Sequence, residues 1–292
     1  MKDILEIQGM TVQYGDFTAL SINRPIAFKE GDRIGIIGNN GAGKSTFVKS
    51  MCGLAPYKGT INTKLKTRDV AVHLQENNYI KRMPVKTILE AILNTSVSKN
   101  EELRKLIDFL EFTPHLKKSF GSLSGGQKQK LTIIIVLFQD KPLVFFDEVT
   151  SALDFETRQK LMDKMNEWYQ NKQNVVCVVS HYYDELENLC NKLLIIDKGR
   201  VVAFDDIDVL FKKYCGNSVI TMKKNNKNIE ITKGFKQITA PKHLLAFPCD
   251  TETQERKLTD VLAKHSVNFK RSNKDIEILF VNAIKEYKNE TE

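Results

Sequence analysis

The 292-residue sequence lacks the patterns that mark membrane-spanning, secreted and zinc-binding proteins. It contains no run of about 18 apolar residues, the minimum for a transmembrane helix. Its five cysteines are odd in number, widely scattered and in no CxxC or Cys/His spacing, which argues against a disulfide framework and against a zinc site. The first residues alternate charged and apolar side chains, without the apolar core of a signal peptide. We therefore expect the chain to stay in the cytoplasm unless a partner holds it at a membrane.

The net charge of +8 is distributed unevenly along the chain. Residues 211–292 carry 16 Lys and Arg against 10 Asp and Glu, so most of the basic excess lies there. Such an excess favours an anionic membrane surface or a nucleic acid. Acidic residues interrupt the basic ones throughout, however, and we favour a solvated basic face. Nucleic acid is not an expected partner.

A glycine-rich stretch, residues 38–45 with the sequence GNNGAGKS, follows an apolar run and precedes a helical pattern. Strand, glycine loop and helix form the context in which GxxxxGK[ST] binds phosphate. Glycines let backbone N–H groups curl around an oxyanion, and the positive end of the helix dipole points to the same place. The alternative is a strand-to-helix turn that merely needs glycine. The spacing of the three glycines, Lys44 and Ser45 predicts a nucleoside triphosphate site.

Two further segments point to anion and metal chemistry. Ser124 and Gln127 form the pattern of a capping box that opens an apolar helix. The glycine pair between them suits a helix start that approaches an anion closely. Later, four apolar residues lead into Asp147 and Glu148, which predicts a buried strand with carboxylates at its carboxyl end. Taken alone, that pair would by default be interpreted as an ordinary acidic loop after a strand.

The rest of the chain predicts an α/β protein with a small appendage. Strand patterns dominate the first 74 residues, helical patterns run from about 76 to 135, and a buried strand over residues 175–179 ends beside His181. We expect a helix over 183–194 and a hairpin around Lys198 and Gly199. Composition shifts near residue 210, and residues 211–292 mix strands, one of them expected over 229–232 and another over 267–270, with helices.

Taken together, these segments resemble an ATP-binding cassette (ABC) ATPase over roughly residues 1–210. The resemblance rests on several motifs in the family's order: the phosphate loop 38–45, Gln75 at the Q-loop position, the signature LSGGQ at 123–127, the Walker B strand ending at Asp147 and Glu148, the D-loop SALD at 151–154, and the switch histidine His181. One departure is Val149, where the family usually has proline. This exchange alters loop stiffness and removes no chemical group.

The resemblance implies a role for each motif. The ATP-binding residues would be Tyr14, Gly38, Asn39, Asn40, Gly41, Ala42, Gly43, Lys44, Ser45, Thr46, Ser124, Gly125, Gly126, Gln127 and Asp154. Tyr14 would stack on adenine, although it is equally a packed residue at a strand end. Ser45, Gln75 and Asp147 would organise Mg²⁺. Glu148 would act as general base or orient the attacking water, with Lys44, Gln75 and His181 completing the catalytic set.

The implied fold is a P-loop ABC cassette: a RecA-like core with a β-subdomain and a helical subdomain at about 76–135. The cassette would occupy residues 1–210, and residues 211–292 would form a small C-terminal α+β domain. In this family two cassettes pair head to tail, so the signature of one chain would cover ATP held by the other. The expected partners are a second cassette, either an identical chain or a paralogue, and an integral-membrane permease that holds the chain at the inner face of the membrane.

The resemblance is compatible with two classes of biological role, a transporter subunit and a soluble ABC ATPase. A soluble ABC ATPase of DNA repair would need a long insertion, but only 47 residues separate Gln75 from Leu123. Translation factors of this family carry two cassettes, and iron–sulfur assembly ATPases lack an appendage like 211–292. Residues 180–192 and 275–281 resemble exporters of drugs and peptides of the ABC-2 type. We therefore expect the ATPase subunit of an exporter, with a soluble, non-transport ABC ATPase or an importer ATPase as the alternatives.

Overall fold

The computed structural model describes residues 2–74, 79–151 and 153–291. The chain divides into two compact units: Met1–Ile34 with Lys44–His181, and Gly35–Gly43 with Tyr182–Glu292. The division falls inside the glycine-rich stretch, between Gly43 and Lys44. Strands and helices are numbered below in chain order. The cassette boundary expected near residue 210 stays a prediction.

The first unit begins with an antiparallel group of strands. Its long central strand, β1 (Asp3–Tyr14), pairs with β2 (Phe17–Ile22), β3 (Ile26–Lys29) and β5 (Lys58–Thr63). Between β3 and β5 lies β4 (Arg33–Ile37), which begins in this unit and from Gly35 onward belongs to the second. Leu5, Ile7, Met10 and Val12 of β1 are buried, while most residues between them are partly exposed. Because strand side chains alternate between faces, one face of β1 packs against a core and the other face is partly exposed.

Three parallel strands form the other sheet region of this unit, in the order β8-β7-β6: β6 (Val70–His73), β7 (Leu143–Asp147) and β8 (Val175–Val179). Every residue of β7 and β8 is buried. Such continuous apolar runs are typical of parallel strands covered on both faces. The register places Asp147 opposite Val179, so the residues that follow β7 and β8 emerge at the same edge.

The helices of the first unit surround these strands: α1 (Lys44–Met51), α2 (Val85–Leu93), α3 (Glu101–Phe109), α4 (Gly125–Gln139) and α5 (Phe155–Tyr169). Helices α2 and α3 pack on α4, whose middle turns, residues 131–137, are wholly buried. The helix α1 packs on β2 and β7. Phe47 anchors it there, with its ring centroid 6.3 Å from that of Phe145 and 6.4 Å from that of Phe28. These packing contacts hold the first turn of α1 near the end of β7.

The second unit contains a β-hairpin formed by β9 (Lys192–Asp197) and β10 (Arg200–Asp206). The helices α7 (Ile207–Cys215) and α10 (Ile276–Thr291) pack on β10, and α6 (Tyr183–Leu189) packs on α10. Lys198 and Gly199 connect β9 to β10 with φ angles of 45° and 74°. Two successive positive φ values are what a tight two-residue hairpin turn requires, so the predicted turn is confirmed.

A separate three-stranded antiparallel sheet belongs to the same unit. Its order is β12-β11-β13, and two helices accompany it: β11 (Ser218–Lys223), α8 (Asn226–Ile231), β12 (Leu244–Cys249), α9 (Glu252–Lys264) and β13 (Phe269–Ser272). The buried cluster beneath it includes Ile220, Phe247, Leu258 and Leu262. Residues 211–292 therefore mix strands and helices, as the sequence predicts.

Three local predictions are wrong. The strand expected over residues 229–232 lies mostly in α8, because the Asn225 side chain accepts a hydrogen bond from the Asn228 N–H and caps a helix there. The helix expected over 183–194 ends at Leu189, since the apolar run that follows is the buried strand β9. The strand expected over 267–270 lies two residues later, as β13. Short apolar runs fit either a helix or a strand, which explains the second error.

Candidate active site

The glycine-rich loop belongs to the second unit up to Gly43, and its glycines are required by geometry. A Cβ atom on Gly38 would lie 2.1 Å from the carbonyl oxygen of Ile196. Gly41 and Gly43 have φ angles of 74° and 107°, which residues with side chains rarely adopt. The loop is tied to the β9–β10 hairpin because Asn39 Nδ2 donates to Asp197 Oδ1 at 3.2 Å. Asn40 and Gly41 at its tip are exposed.

The next residues, Lys44, Ser45 and Thr46, form the first turn of α1 in the first unit. No acidic residue occupies this turn, so the N–H groups and the positive end of the dipole favour an anion. Lys44 is 6% exposed, and burial lowers its pKa while the nearby charges of Glu148 and Asp147 act in the opposite direction. A buried cation between a helix start and two carboxylates is suited to binding phosphate oxygens.

Asp147 ends β7 and is 4% exposed. The neighbouring Ser45 hydroxyl acts on its carboxylate as a donor that favours the ionised form. Burial raises the pKa of Asp147; the Ser45 hydrogen bond lowers it and the neighbouring Glu148 raises it further. Among the described residues, no group hydrogen-bonds to its buried Oδ1. An orphaned carboxylate oxygen beside a hydroxyl is an arrangement that a divalent cation would satisfy.

Glu148 follows β7 with a positive φ of 52°, which turns the chain sharply at the strand end. Its N–H donates to the carbonyl oxygen of Val179 at 3.0 Å. Across the edge of the sheet, His181 Nε2 lies 3.0 Å from Glu148 Oε1. The His181 side chain is 45% exposed and that of Glu148 is 21% exposed, so both reach solvent at the carboxyl edge of β7 and β8.

The signature residues open α4 with the predicted capping box. Ser124 Oγ accepts from the Gln127 N–H at 3.3 Å, and Gln127 Oε1 accepts from the Ser124 N–H at 3.1 Å. Ser124 and Gly125 are exposed. Gly126 is required for another reason, since a Cβ atom there would lie 2.8 Å from Leu153 Cδ2. The glycine pair therefore combines an open helix start with close packing against residue 153.

Two further predicted residues, Asp154 and Tyr14, lie at the start of a helix and at the end of a strand. Asp154 is the N-cap of α5, with its carboxylate accepting from the Thr157 N–H at 3.0 Å and from the Thr157 hydroxyl at 2.9 Å. These hydrogen bonds hold the pKa of Asp154 below its ordinary value. Tyr14 ends β1 and is 50% exposed, which leaves its ring open for stacking. Their contacts with ATP stay predictions, and Gln75 lies outside the described residues.

Sequence reasoning missed two partners of the predicted site residues. Asp197 anchors the phosphate loop through Asn39, and Leu153 restricts position 126 to glycine. The only sequence signal for Asp197 is its place at the end of a buried strand, directly before the Lys198–Gly199 turn. Leu153 belongs to the D-loop motif, but nothing in the sequence predicts its contact with position 126, because that contact arises only in the folded chain.

Residues Ser45 and Asp147 fit a site for Mg²⁺. Within the described ranges, no cluster of three or more His, Cys, Asp or Glu side chains is arranged to hold a metal ion. Mg²⁺ needs no such cluster, since it binds through one or two protein oxygens and keeps water and substrate phosphates as its other ligands. The Ser45 hydroxyl and the free Oδ1 of Asp147 supply that number.

Solved structures share this fold. An ATP-binding subunit of an ABC transporter superimposes with a TM-score of 0.63 at 22% identity, covering 72% of this chain and 93% of that one. A dimeric ATP-binding cassette bound to ADP and Pi superimposes with a TM-score of 0.61 at 21% identity, covering 70% and 98%. The predicted fold class, a P-loop ABC cassette with a mixed sheet and helices, is confirmed.

Sequence comparisons agree with the fold. A family model described as "ABC transporter" matches residues 23–151. The thiamine import ATP-binding protein ThiQ of Histophilus somni is 30% identical over 198 residues, 63% of this chain and 92% of ThiQ. The methionine import ATP-binding protein MetN of Clostridium tetani is 30% identical over 229 residues, 71% of each chain. The chain therefore belongs to the ATP-binding proteins of ABC transporters, a family of ATPases that bind ATP with Mg²⁺.

Proposed function

We propose that this chain is the ATP-hydrolysing subunit of a transporter whose membrane-spanning permease is another polypeptide. The observation that carries this proposal is the pairing of His181 with Glu148 beside the buried Asp147 and Lys44. Family membership supplies the link to transport. Across residues 2–74, 79–151 and 153–291, no helix combines the length and apolar character needed to cross a membrane.

The chemistry assigned to these residues is hydrolysis of the γ-phosphate. Phosphoryl transfer needs positioning and charge stabilisation more than covalent chemistry. Lys44 and the first N–H groups of α1 would neutralise phosphate oxygens. The Glu148 carboxylate would orient the attacking water and take up its proton. His181, held to Glu148 at 3.0 Å, would fix that carboxylate and contact the γ-phosphate region.

Magnesium would be held by the Ser45 hydroxyl and Asp147, the latter directly or through water. Bound there, the ion would supply positive charge that neutralises phosphate oxygens. The Ser45 hydroxyl is close enough to the Asp147 carboxylate to lower its pKa, so the two oxygen ligands are neighbours. Gln75, the third residue predicted for this role, is not among the described residues.

The signature residues would act on the ATP of a second cassette. Ser124 and Gly125 are exposed at the start of a fifteen-residue helix, so its positive end faces solvent. This chain has one phosphate loop and a second open helix start, which suits a head-to-tail pair with two shared ATP sites. The cassettes would lie at the inner face of the membrane, against the permease.

Import is the direction that the curated relatives favour. Both relatives described above are named for import, and neither name supports the exporter expected from residues 180–192 and 275–281. We therefore place import ahead of export for this chain. At 30% identity, the names of these relatives do not identify the solute that this chain's transporter moves, because the permease and its partners select the solute.

Copurification and vesicle transport test this proposal. The tagged chain, solubilised from membranes of its own cells, should bring down a polypeptide with several membrane spans that stimulates its ATPase activity. In vesicles with the cassettes outside, ATP should drive an imported solute, with thiamine and methionine as first probes, out of the lumen. Accumulation inside the lumen would indicate export. Full activity without any membrane partner would refute the transporter assignment.

A further inference from the structure

A cavity of about 540 Å³ lies among α3, the end of α4 and the end of α5 in the first unit. None of the residues predicted to bind ATP lines it. Its apolar walls are formed by five side chains: Leu106, Phe109, Leu137, Phe138 and Trp168. The volume falls within the range of sites for small molecules, about 300–1,000 Å³. This α3–α5 cavity is therefore large enough for a ligand of its own.

Two lysines line the cavity, and both are already engaged. Lys172 Nζ lies 2.9 Å from Asp140 Oδ1 and 4.1 Å from the centre of the Trp168 ring. Lys105 Nζ lies 2.8 Å from Glu101 Oε1. Each lysine at the cavity therefore already has a carboxylate partner.

Two carboxylates at the cavity are not neutralised in this way. Glu102 of α3 and Glu167 of α5 both line it and are exposed. In the part of the chain that the structure describes, neither side chain forms an ion pair or accepts a hydrogen bond; Glu102 acts on Lys105 only as a nearby charge. The cavity therefore joins aromatic and aliphatic walls to a lining in which three carboxylates, those of Glu102, Asp140 and Glu167, outnumber two ammonium groups.

We propose that the α3–α5 cavity binds a small organic cation, an aryl or alkyl body that carries one ammonium group. The body would lie against Leu106, Phe109 and Trp168, where burying apolar surface is favourable. The ammonium group would stay at the mouth, between Glu102 and Glu167. An anion of the same shape would meet two carboxylates there, so charge selects the ligand and the apolar walls supply affinity.

The chain reports on this cavity directly, because Trp168 is its only tryptophan. The test is a titration of the intact chain with 4-phenylbutylammonium, followed by intrinsic tryptophan fluorescence. The matched probes are 4-phenylbutyrate and 4-phenylbutanol, which present the same body with a negative or no charge. We expect a saturable change with the ammonium compound, and binding of the carboxylate weaker by about tenfold or more.

Variants of the two carboxylates measure how much charge contributes to binding, apart from the contribution of the apolar walls. The double variant Glu102→Gln, Glu167→Gln should bind the ammonium compound about tenfold more weakly, with the same affinity as it binds the alcohol. The control is Glu156→Gln, an exposed acid on the first turn of α5 that pairs with Lys160 and does not line the cavity. It should bind as the unchanged chain does. Urea unfolding midpoints verify that each variant is folded.

Three results would overturn the proposal. The first is a linear, unsaturable response to 4-phenylbutylammonium in the unchanged chain. The second is equal affinity for the ammonium and carboxylate compounds, which would reduce the cavity to an apolar site without charge selection. The third is a double variant that is folded and binds the ammonium compound undiminished.

Discussion

The Nε2 atom of His181 lies 3.0 Å from the Oε1 atom of Glu148, and strand register sets this distance. The parallel strands β7 and β8 pair Asp147 with Val179, so Glu148 and His181 leave the sheet at the same edge. The Glu148 N–H donates to the Val179 carbonyl and fixes the turn. Backbone pairing thus positions the carboxylate and the histidine that we propose for hydrolysis.

Replacing His181 with alanine should slow hydrolysis without removing ATP binding. The carboxylate of Glu148 would lose a fixed donor and sample other orientations, and a misplaced catalytic group costs on the order of 10²-fold. Steady-state kinetics should show kcat falling by about that factor while KM for ATP changes little. His243→Ala, a change at an exposed histidine of the other unit, is the control. A kcat within twofold of the unchanged chain would refute the positioning role.

Gly38 and Gly41 offer a matched pair of loop substitutions. Gly38→Ala forces a Cβ atom to within 2.1 Å of the Ile196 carbonyl oxygen, whereas Gly41→Ala meets nothing within 4 Å and strains only its φ of 74°. We expect Gly41→Ala to cost about 1 kcal/mol and Gly38→Ala about 3 kcal/mol or more. Urea unfolding without nucleotide measures both. Equal losses would contradict the close approach at Gly38.

Replacing Asp147 with asparagine should raise the thermal stability of the chain while its ATPase activity is lost. Burial and the neighbouring Glu148 raise the pKa of Asp147, so its ionised form is disfavoured in the folded chain. An acid with a raised folded pKa lowers stability as the pH rises from its unfolded pKa through its folded pKa. The asparagine variant should therefore melt at a higher temperature than the unchanged chain at pH 7 without metal or nucleotide.

The same Asp147→Asn change should abolish Mg²⁺-dependent hydrolysis, because a neutral amide oxygen is a weaker ligand for a hard cation than a carboxylate. Differential scanning calorimetry and a Mg²⁺ titration of ATPase activity measure the two effects. A variant that melts lower than the unchanged chain, or that hydrolyses ATP normally, would count against the assigned environment of Asp147.

His73 predicts a pH dependence outside the catalytic groups. It ends β6, is 1% exposed, and within the described residues neither ring nitrogen has a hydrogen-bond partner. Burial lowers its pKa from 6.5 to about 4. The unfolded chain then binds a proton more readily than the folded chain, so stability present above pH 6.5 is lost as the pH falls towards 4.

His73→Leu should remove that part of the pH dependence. Between pH 6.5 and pH 5 the unchanged chain should lose up to about 2 kcal/mol more than the variant. Urea unfolding at several pH values measures the difference, and other titrating groups cancel because both proteins carry them. Parallel curves for the two proteins would show that His73 is accessible to protons in the folded state.

Contiguous motifs made much of the site predictable. Lys44, Ser45, Asp147 and Glu148 lie at strand ends or helix starts, where their sequence neighbours already define the backbone. The structure brings them together with His181. The capping box of Ser124 and Gln127 was predictable for the same reason, since all of its atoms lie within four residues.

Contacts between distant segments were not predictable from the residues alone. The Asn39–Asp197 hydrogen bond joins positions 158 residues apart, and the restriction of Gly126 arises from Leu153. The helix α8 depends on one side-chain cap that outweighs the β-forming isoleucines of its sequence. Local propensity fails where a single tertiary contact or cap is worth more than the summed preference.

The Glu148→Gln variant tests the central claim, that Glu148 hydrolyses ATP within a pair of cassettes. It removes the acid–base function and keeps the size of the side chain. With Mg²⁺ and ATP it should bind nucleotide, hydrolyse it at least about 10²-fold more slowly, and elute from gel filtration as a dimer. Lys44→Ala, which removes the phosphate-binding cation, should bind little ATP and stay a monomer. Hydrolysis at the normal rate by Glu148→Gln, or a monomer with ATP bound, would contradict the account.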